Sequence, residues 1–435
     1  MSIKNINKIF VSAAVIAGGM AVFAPDAQAT NGYFVYGVGP TSKGMAGAGA
    51  AYSNDALAAA TNVAGMAFVG KRADFDITFF NPNREFNGRG GATLSGDRVN
   101  STASLFEIPN FGMNYPIDDK WAVGFSLNAN GGMNTEYRES VFRNFNGSTT
   151  PFSGTAPTGV DLAVATAALT FSYKVTPNVA IAFAPTGTFS RFKAYGLGNF
   201  KAISADSSHV TNRGYEQSGG YGFRAGIQAK IDDYWSVGLG YQSRQYMQPF
   251  NKYRGLFAEQ GDFDIPQMAN FGIALRATPK LTIAADWQWI NYNQVDAIAN
   301  SAGKPLSTML GVSTSTFLLG NDEGIGFGWE DMNVFKLGAN YQYSDKLTLM
   351  AGISHNDRNP FDSDQIMFNI LAPGVVRTHA TVGLVYNFTE NASLNLAYAR
   401  AFSETFTGTD PNLGTQKIAL TMDQHEATVG FTYKW

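Results

Sequence analysis

The chain ends in a stretch where apolar and polar side chains alternate without interruption, from Glu426 to Trp435. One face carries Ala427, Val429, Phe431, Tyr433 and Trp435. Successive side chains of a β-strand point to opposite faces, so this segment predicts a strand with one apolar and one polar wall. The apolar face becomes aromatic towards the terminus, which is typical of a transmembrane barrel strand at the membrane interface. We therefore expect Val429 to face lipid and Thr428 to face a polar interior.

The N-terminus has the features of a secretory signal peptide over residues 1–29. Lys4 and Lys8 provide a positive start, residues 9–23 are mostly apolar, and Ala27-Gln28-Ala29 fits a small-residue cleavage site. A membrane anchor is the alternative, but a spanning helix takes roughly 20 apolar residues and this run is shorter. The sequence thus predicts an exported protein.

Composition restricts where such an exported chain can reside. No later stretch is apolar enough for a spanning helix, and charged residues make up only 15% of the chain, below the roughly 25% of soluble domains. The chain has no cysteine, which excludes disulfides and thiolate metal sites. A net charge of −3 without a basic patch predicts no nucleic acid partner. Together with the strand periodicity, these features indicate the bacterial outer membrane.

Six short turns of similar composition divide most of the chain into alternating stretches. They are rich in Pro, Asp, Asn and Ser, and they lie at residues 115–120, 174–178, 230–234, 276–280, 343–346 and 387–391. Six hairpins and one further strand at each end give about fourteen strands, an even number as in bacterial barrels. The predicted fold is therefore all-β: a transmembrane antiparallel β-barrel of about fourteen strands over residues 73–435, with its long loops facing outward.

Residues 30–72 lack this alternation and consist mainly of small, nearly uncharged side chains. A barrel of this strand number would otherwise enclose an aqueous lumen. We therefore predict that residues 30–72 form a small N-terminal hatch, or plug, inside the lumen. A flexible leader is the alternative, although the content of Ala, Met, Leu and Tyr is too apolar for a solvated tail.

Several motifs, taken in their order along the chain, resemble those of the FadL-type family of outer-membrane transporters. The motifs are Gly44 to Gly49, Asn62 to Gly65, Asp264-Ile265-Pro266 and Gly328-Trp329-Glu330-Asp331. Members of that family carry long-chain fatty acids and other hydrophobic compounds, including aromatic hydrocarbons. The resemblance implies passive uptake of hydrophobic small molecules by capture at the loops, passage controlled by a hatch, and lateral exit into the membrane.

The resemblance also assigns roles to two short stretches. The hatch bend would consist of Asn62, Val63, Ala64 and Gly65. Valine stands at 63 where the family commonly has proline, which would fix the backbone more firmly. A lateral opening would lie at the end of the third strand, where a bend is permitted by Asn130, Gly131 and Gly132.

Candidate ligand contacts fall into an apolar and a cationic group. The apolar candidates, for which ordinary loop packing is the alternative, are Met133, Phe142, Phe145 and Phe152. The cationic candidates for a carboxylate are Arg191, Lys193 and Lys336. Of these, Arg191 and Lys193 match an Arg-x-Lys pattern of the fatty-acid members. A further basic residue of those members has no counterpart near Tyr195, which leaves neutral hydrocarbons as alternative ligands.

Signals for catalysis are poor, so we expect no enzyme, cofactor or metal. The four histidines show no metal-ligand spacing, and rim or loop positions are predicted for His209, His355, His379 and His425. Ser354 and His355 are adjacent, so on a strand they would point to opposite faces. Three other functions stay open: a general porin for polar solutes, a less favoured outer-membrane lipid hydrolase, and a structural or adhesive barrel.

The remaining expectations concern partners. The predicted partners of a monomeric barrel are a hydrophobic small molecule and outer-membrane lipid. As in other outer-membrane barrels, the barrel assembly machinery is predicted to recognise the aromatic C-terminus formed by Phe431, Tyr433 and Trp435.

Overall fold

The computed structural model describes residues 31–89, 98–142, 157–303, 316–414 and 416–435. In this part of the chain, fourteen long strands belong to one antiparallel sheet. They are β1 Arg72–Arg89, β2 Phe106–Pro116, β3 Trp121–Tyr137, β4 Thr158–Thr176, β5 Val179–Tyr195, β6 Glu216–Lys230, β7 Trp235–Gln242, β8 Met268–Thr278, β9 Leu281–Ile290, β10 Met332–Gln342, β11 Leu347–Asn356, β12 Thr378–Asn387, β13 Ala392–Gly408 and β14 Lys417–Lys434. The predicted signal peptide, Phe145 and Phe152 lie outside the described residues.

The sheet closes into a barrel because β14 pairs with β1 as well as with β13. This seam runs from Arg72 opposite Lys434 to Arg89 opposite Lys417. Two short strands add to the sheet beyond the main ladder, Arg98–Asn100 against β1 and Tyr246–Met247 against β6. The predicted antiparallel barrel of fourteen strands is confirmed.

The two faces of the wall follow the alternation in the sequence. Val429 is 46% exposed on the outer face, whereas Thr428 is 2% exposed on the inner face. The six predicted turns connect β2 to β3, β4 to β5, β6 to β7, β8 to β9, β10 to β11 and β12 to β13. Their side chains fix them locally: Asp118, for example, accepts hydrogen bonds from the backbone N–H groups of Lys120 and Trp121. Exposed aromatic side chains such as Trp121, Trp235 and Tyr433 mark this turn end of the barrel.

Helices in the described part of the chain are short. The α-helices are α1 Pro40–Gly44, α2 Ala258–Gly261 and α3 Asp296–Ala299. The 3₁₀ helices are Ala56–Ala60, Val63–Ala67, Gly198–Ile203, Ser207–His209, Asn251–Tyr253, Tyr292–Gln294, Ser363–Gln365, Phe368–Ile370 and Pro411–Leu413. Among the described residues, no helix combines the length and apolar character needed to cross a membrane.

The N-terminal segment Asn31–Lys71 contacts inward-facing residues from strands all around the barrel. Its backbone N–H groups donate to Asp74 of β1, Asp286 of β9 and Thr381 of β12. Close approach requires small residues in the wall as well. A Cβ atom on Gly238 of β7 would lie only 1.9 Å from the backbone oxygen of Ala50. The segment therefore occupies the lumen at the turn end of the barrel.

Candidate functional site

An apolar cavity lies in the lumen on the loop side of the N-terminal segment. It is lined by Met133, Val160, Leu162, Phe192, Leu256, Phe257, Phe263, Ala297, Leu319, Ile325, Gly326, Phe327, Phe368 and Leu371. The volume of the cavity is only about 30 Å³, and its lining is almost entirely apolar. The cavity is thus narrow, and a ligand would have to displace side chains to fill it.

Strands form one side of this apolar cavity and long loops form the other. Met133, Leu162 and Phe192 point inward from β3, β4 and β5, as their alternation requires. Phe257 comes from a loop, and its ring centroid lies 4.7 Å from that of Phe192 and 4.9 Å from that of Phe263. Sequence reasoning found Met133, but the loop residues carry no periodic pattern that could have indicated them.

Phe142 lies outside the lining of the apolar cavity. It is buried, and its ring meets that of Phe200 edge-on at a centroid distance of 4.9 Å. This neighbour belongs to the same buried apolar cluster as the cavity residues. Phe142 therefore supports the loop side of the cavity from behind.

The ladder of backbone hydrogen bonds in the barrel wall has a gap between β2 and β3. The two strands pair from Pro116 opposite Ala122 to Phe111 opposite Leu127, and the pairing then stops. β3 continues to Tyr137, so the expectation that it ends at Asn130, Gly131 and Gly132 is wrong. Those three residues instead carry a bulge, since the register against β4 shifts between Ala129 and Gly131.

The limits of this gap, called the wall gap below, are set by a few hydrogen bonds. The backbone N–H of Thr102 donates to the oxygen of Glu136 at 2.7 Å and closes the outer end. Within the gap, the Asn110 side chain accepts from the N–H of Ala129 at 3.1 Å. Pro109 lies on β2 at this level and has no N–H to donate, which favours the loss of pairing. Pro109 is a signal that sequence reasoning missed.

The start of the N-terminal segment forms hydrogen bonds with backbone groups of β3 that are not paired with β2. The N–H of Gly132 donates to the oxygen of Tyr33 at 2.8 Å, and Phe34 forms a bridge with Gly131. A Cβ atom on Gly131 would lie 2.2 Å from the Tyr33 oxygen, so glycine is needed for this approach. Residues 33–35 thus cover the inner side of the wall gap.

The predicted bend of the hatch forms a capped 3₁₀ helix. The Asn62 side chain accepts from the N–H of Ala64 at 3.0 Å and donates to the oxygen of Ala50 at 2.7 Å. Val63 is buried against the wall, and a Cβ atom on Gly65 would clash with Ser53. These hydrogen bonds of Asn62 stabilise the bend, although position 63 lacks the proline that is common in the family.

Buried charged groups hold the N-terminal segment to the wall. Lys43 of the segment forms an ion pair with Glu426 of β14, and Arg72 of β1 donates to the backbone oxygen of Asn54 in the segment at 2.5 Å. Lys336, predicted as a ligand contact, is buried on β10 and donates to the backbone oxygen of Tyr36 at 3.0 Å. In this structure Lys336 therefore docks the segment and does not line the apolar cavity.

Arg191 and Lys193 face away from the lumen. On β5 the even-numbered residues such as Phe192 point inward, so these two cations lie on the outer face. Both stack on Tyr215, with cation-to-centroid distances of 4.9 Å for Arg191 and 4.5 Å for Lys193. The Arg-x-Lys spacing keeps both residues on one face of the strand but does not say which, and on the outer face they lie away from the apolar cavity.

His379 is not a rim or loop residue, which corrects the prediction made for it. It is buried on the inner face of β12, with its Nδ1 atom 3.4 Å from the Ser354 hydroxyl. Its ring stacks on Tyr36 at a centroid distance of 5.3 Å. The pair is covered by the N-terminal segment. No cluster of His, Cys, Asp or Glu suited to a metal ion occurs among the described residues.

A closed membrane-type barrel with a filled lumen and an apolar internal cavity defines the class, an outer-membrane channel protein. The profile of the outer membrane protein transport family (OMPP1/FadL/TodX) matches residues 20–435, and the chain belongs to this family. It is an outer-membrane transport protein and not an enzyme, as predicted.

Relatives cover most of the chain. The 47 kDa outer membrane protein of Pasteurella multocida is 24% identical over 408 residues, which is 88% of this chain and 90% of that protein. The long-chain fatty acid transport protein of Escherichia coli is 22% identical over 351 residues, 73% of this chain and 74% of that one. The crystal structure of the toluene transporter TodX from P. putida has a TM-score of 0.67 at 18% identity, covering 92% of this chain and 99% of that one. The structural likeness supports the same fold.

Proposed function

We propose that the protein takes up hydrophobic small molecules passively, through the apolar cavity, past the N-terminal segment and out through the wall gap into the membrane. The observation that carries this proposal is the adjacency of cavity and gap. Met133 lines the cavity and directly follows Gly132, which lies at the gap. A ligand in the cavity would therefore be one residue away from a route through the wall.

Lateral exit suits an apolar ligand for a physical reason. Returning apolar surface to water costs about 25 cal/mol per Å², whereas passage from the cavity into lipid keeps that surface dry. Two of the proteins named above are a long-chain fatty acid transport protein and a toluene transporter, and both kinds of compound would gain from such a route. No energy input is needed, because the ligand moves from a dilute aqueous phase to a phase that dissolves it better.

The N-terminal segment, residues 30–72, acts as the hatch in this proposal. Residues 33–35 bind the free edge of β3 and pack beside the cavity, since the ring centroid of Tyr33 lies 6.2 Å from that of Phe263. A ligand that displaces Phe263 or Tyr33 would weaken the contacts that cover the wall gap. The ligand then passes into membrane lipid. In this proposal the barrel is a monomer, inserted into the membrane by the barrel assembly machinery.

A disulfide across the wall gap tests the route. If the β2–β3 ladder continued beyond Phe111 opposite Leu127, Pro109 would lie opposite Ala129. The chain has no cysteine, so Pro109→Cys with Ala129→Cys gives a single bridge. We expect the oxidised protein to lose most uptake of a hydrophobic compound in whole cells, and a reductant to restore it.

A matched control places the same bridge where the ladder is intact. Leu396 and Val429 are paired across β13 and β14 and both lie on the outer face. Oxidation of Leu396→Cys with Val429→Cys should leave uptake unchanged. Full uptake through the oxidised Pro109–Ala129 variant, with the barrel intact by heat-modified gel mobility, would contradict lateral exit.

A polar-solute porin is the second candidate, and one observation favours it. A vestibule of about 570 Å³ opens at the turn end and is lined by polar and charged residues that include Gln228, Lys230 and Arg276. It ends at Ala51, Tyr52 and Ser53 of the N-terminal segment. A porin would conduct ions steadily with the segment in place, whereas the proposed transporter would conduct poorly.

A further inference from the structure

The outer face of the barrel changes from apolar to polar near the loop end of strands β11 to β13. Ile353, Val382 and Tyr398 are exposed there and form the edge of the apolar surface. His355 and Arg400 lie two residues closer to the loops than Ile353 and Tyr398, on the same outer face. The long loops of bacterial barrels face the cell exterior, so this edge lies at the depth of the headgroups of outer-leaflet lipids.

At this edge, Arg377 directly before β12 is held by a histidine of β11. Its Nη2 atom donates to Nε2 of His355 at 3.3 Å. A neutral imidazole that accepts at Nε2 carries its proton on Nδ1, which lies 2.8 Å from the hydroxyl of Thr378. His355 therefore orients the guanidinium without cancelling its charge. No carboxylate in the described part of the chain forms an ion pair with Arg377, and its Nη1 atom makes no hydrogen bond there.

The same arrangement is repeated on β13 and β14. Arg400 contacts Nε2 of His425, whose Nδ1 atom lies 2.6 Å from the hydroxyl of Tyr398. One difference is that Nη1 of Arg400 also donates to the carboxylate of Asp423 at 2.6 Å. The Arg400 side chain is partly exposed, and only its Nη1 atom donates to other described residues. Its remaining donors are thus available to a ligand.

Strand register sets the distance between these two arginine–histidine pairs. Ala380 of β12 lies opposite Arg400 of β13, and Arg377 is three residues before Ala380. The geometry of neighbouring strands places the Cα atoms of the two arginines roughly 11 Å apart. At this spacing, each guanidinium can take one phosphate of a headgroup that carries two. Arginine suits this task because its planar donors match two phosphate oxygens at once.

We propose that the two arginine–histidine pairs bind the phosphate groups of a diphosphorylated glycolipid in the outer leaflet. The acyl chains of this lipid lie along the apolar surface that includes Ile353 and Val382. The inference does not depend on the transport route, because the wall gap lies elsewhere, between β2 and β3. The outer surface of β11 to β14 is thus a site for one kind of lipid, beyond its general contact with the membrane.

Lipids that differ in phosphate number test this site. Native mass spectrometry of the purified full-length barrel in a neutral detergent would compare diphosphoryl lipid A with monophosphoryl lipid A of equal acylation. We expect the diphosphoryl lipid to bind at least about tenfold more tightly, the factor for one further charged hydrogen bond. Equal binding of the two lipids would overturn the proposal.

Free phosphate separates a lipid site from a site for any phosphate anion. Excess inorganic phosphate should displace little of the diphosphoryl lipid, because contacts of the acyl chains with the apolar surface add to its affinity. Complete displacement would show that the site requires only the anion, and the assignment to a lipid would then be wrong.

Three substitutions assign the phosphate contacts to residues. Arg377→Gln should weaken binding of the diphosphoryl lipid by at least about tenfold. Arg400→Gln should lose less, because Asp423 already balances part of its charge. Asp423→Asn should strengthen binding about threefold, since it removes a competing carboxylate, and damage to the fold would not produce such a gain. Unchanged affinity in all three variants would contradict the proposal. If Arg377→Gln does not fold, the comparison of the two lipids on the wild type still decides.

A second group of cations on the outer face provides the matched control. Arg191 and Lys193 lie near the loop end of β5, where Lys193 is opposite Asp161 of β4. Arg191→Gln with Lys193→Gln removes two cations, yet it should change the affinity for the diphosphoryl lipid by less than about threefold, because the nearby carboxylate offsets their charge. A loss as large as that of Arg377→Gln would show that only the overall surface charge matters, and it would overturn the assignment to the arginine–histidine pairs.

Discussion

The two halves of the lumen are filled by different kinds of contact. The half under the loops contains large apolar side chains, for example Phe192, Phe257 and Trp329, in one extended buried cluster. The half at the turn end contains the N-terminal segment, whose buried side chains are mostly Ala, Met and Val. There the contacts are ion pairs and hydrogen bonds from backbone to charged side chains, such as Gly49 N–H to Asp286 at 2.8 Å.

This difference indicates how each half responds to a ligand. Apolar contacts are non-directional and individually weak, so the loop half can repack around guests of different shape. Ion pairs and hydrogen bonds are directional, and a buried charge that loses its partner is strongly penalised. The turn half should therefore be either docked or released, with few intermediate states. The predictions below test that contrast, from the largest expected effect to the smallest.

Deletion of residues Tyr33 to Gly65 should have the largest effect. The deletion empties the turn half and leaves a barrel wide enough for a water-filled channel. In planar bilayers we expect the full-length protein to conduct poorly and the deletion variant to conduct steadily. Similar large conductance from both would remove the hatch from the mechanism and favour the porin.

Loss of the Lys43–Glu426 ion pair should release the segment without removing it. Lys43→Met leaves a buried carboxylate without its partner, which costs about 3–5 kcal/mol of docking free energy. Maleimide labelling of Ala51→Cys, buried in the docked segment, reports release because the chain has no other cysteine. Addition of Glu426→Gln should recover much of the loss. Equal labelling rates with and without Lys43→Met would show that the pair does not hold the segment.

A small change in the loop half should cost much less. Ile325 lines the apolar cavity, and Ile325→Val removes one methylene at a typical cost of about 0.5–1.5 kcal/mol. Urea unfolding measures that cost, and ligand binding should shift towards bulkier compounds. A loss as large as that of Lys43→Met would show that the loop half is packed as rigidly as the turn half.

The smallest predicted effect is a pH dependence of docking. Burial, together with the nearby Asp74, raises the pKa of Asp55 to about 6, so the docked segment holds a proton that a released segment loses. Docking is thus strongest at low pH and weakens as the pH rises through 6. From pH 5.5 to 7.5 the opening equilibrium should increase about fourfold.

Asp55→Asn is the matched variant for this pH effect. Its side-chain oxygen can still accept from the N–H of Ala58, as Asp55 does at 3.0 Å, while it cannot titrate. The frequency of brief channel openings in planar bilayers measures how often the segment is released. An unchanged pH response in Asp55→Asn would assign the effect to another group.

The outer surface of the barrel was predictable from sequence because lipid imposes one rule on every strand. Residues such as Val429 and Phe431 must be apolar, so a period of two survives along β14 and fixes its facing. The turns were predictable as well, since Asp118 and its equivalents bind the backbone only a few residues away.

The lumen was less predictable because its contacts join residues far apart in the chain. The sequence around Ser354 gave no indication that His379, from the next strand, would lie beside it. The facing of Arg191 required counting from a reliably placed residue of β5, such as the exposed Phe183. The wall gap combines Pro109 of β2 with the bulge of β3, and each feature alone permits an ordinary strand.

The seam between β1 and β14 has a consequence for the order of assembly. The N-terminal segment continues directly into β1 at Arg72. Glu426, the ion-pair partner of Lys43 in the segment, belongs to β14. Thr432 of β14 also donates to Asp74, the acceptor of Ala56 in the segment. β14, which follows the other thirteen strands in the chain, therefore supplies part of the surface on which the N-terminal segment docks. Final docking of the segment and closure of the sheet become one event, so a chain truncated before β14 would lack both a sealed wall and a seat for its own N-terminus.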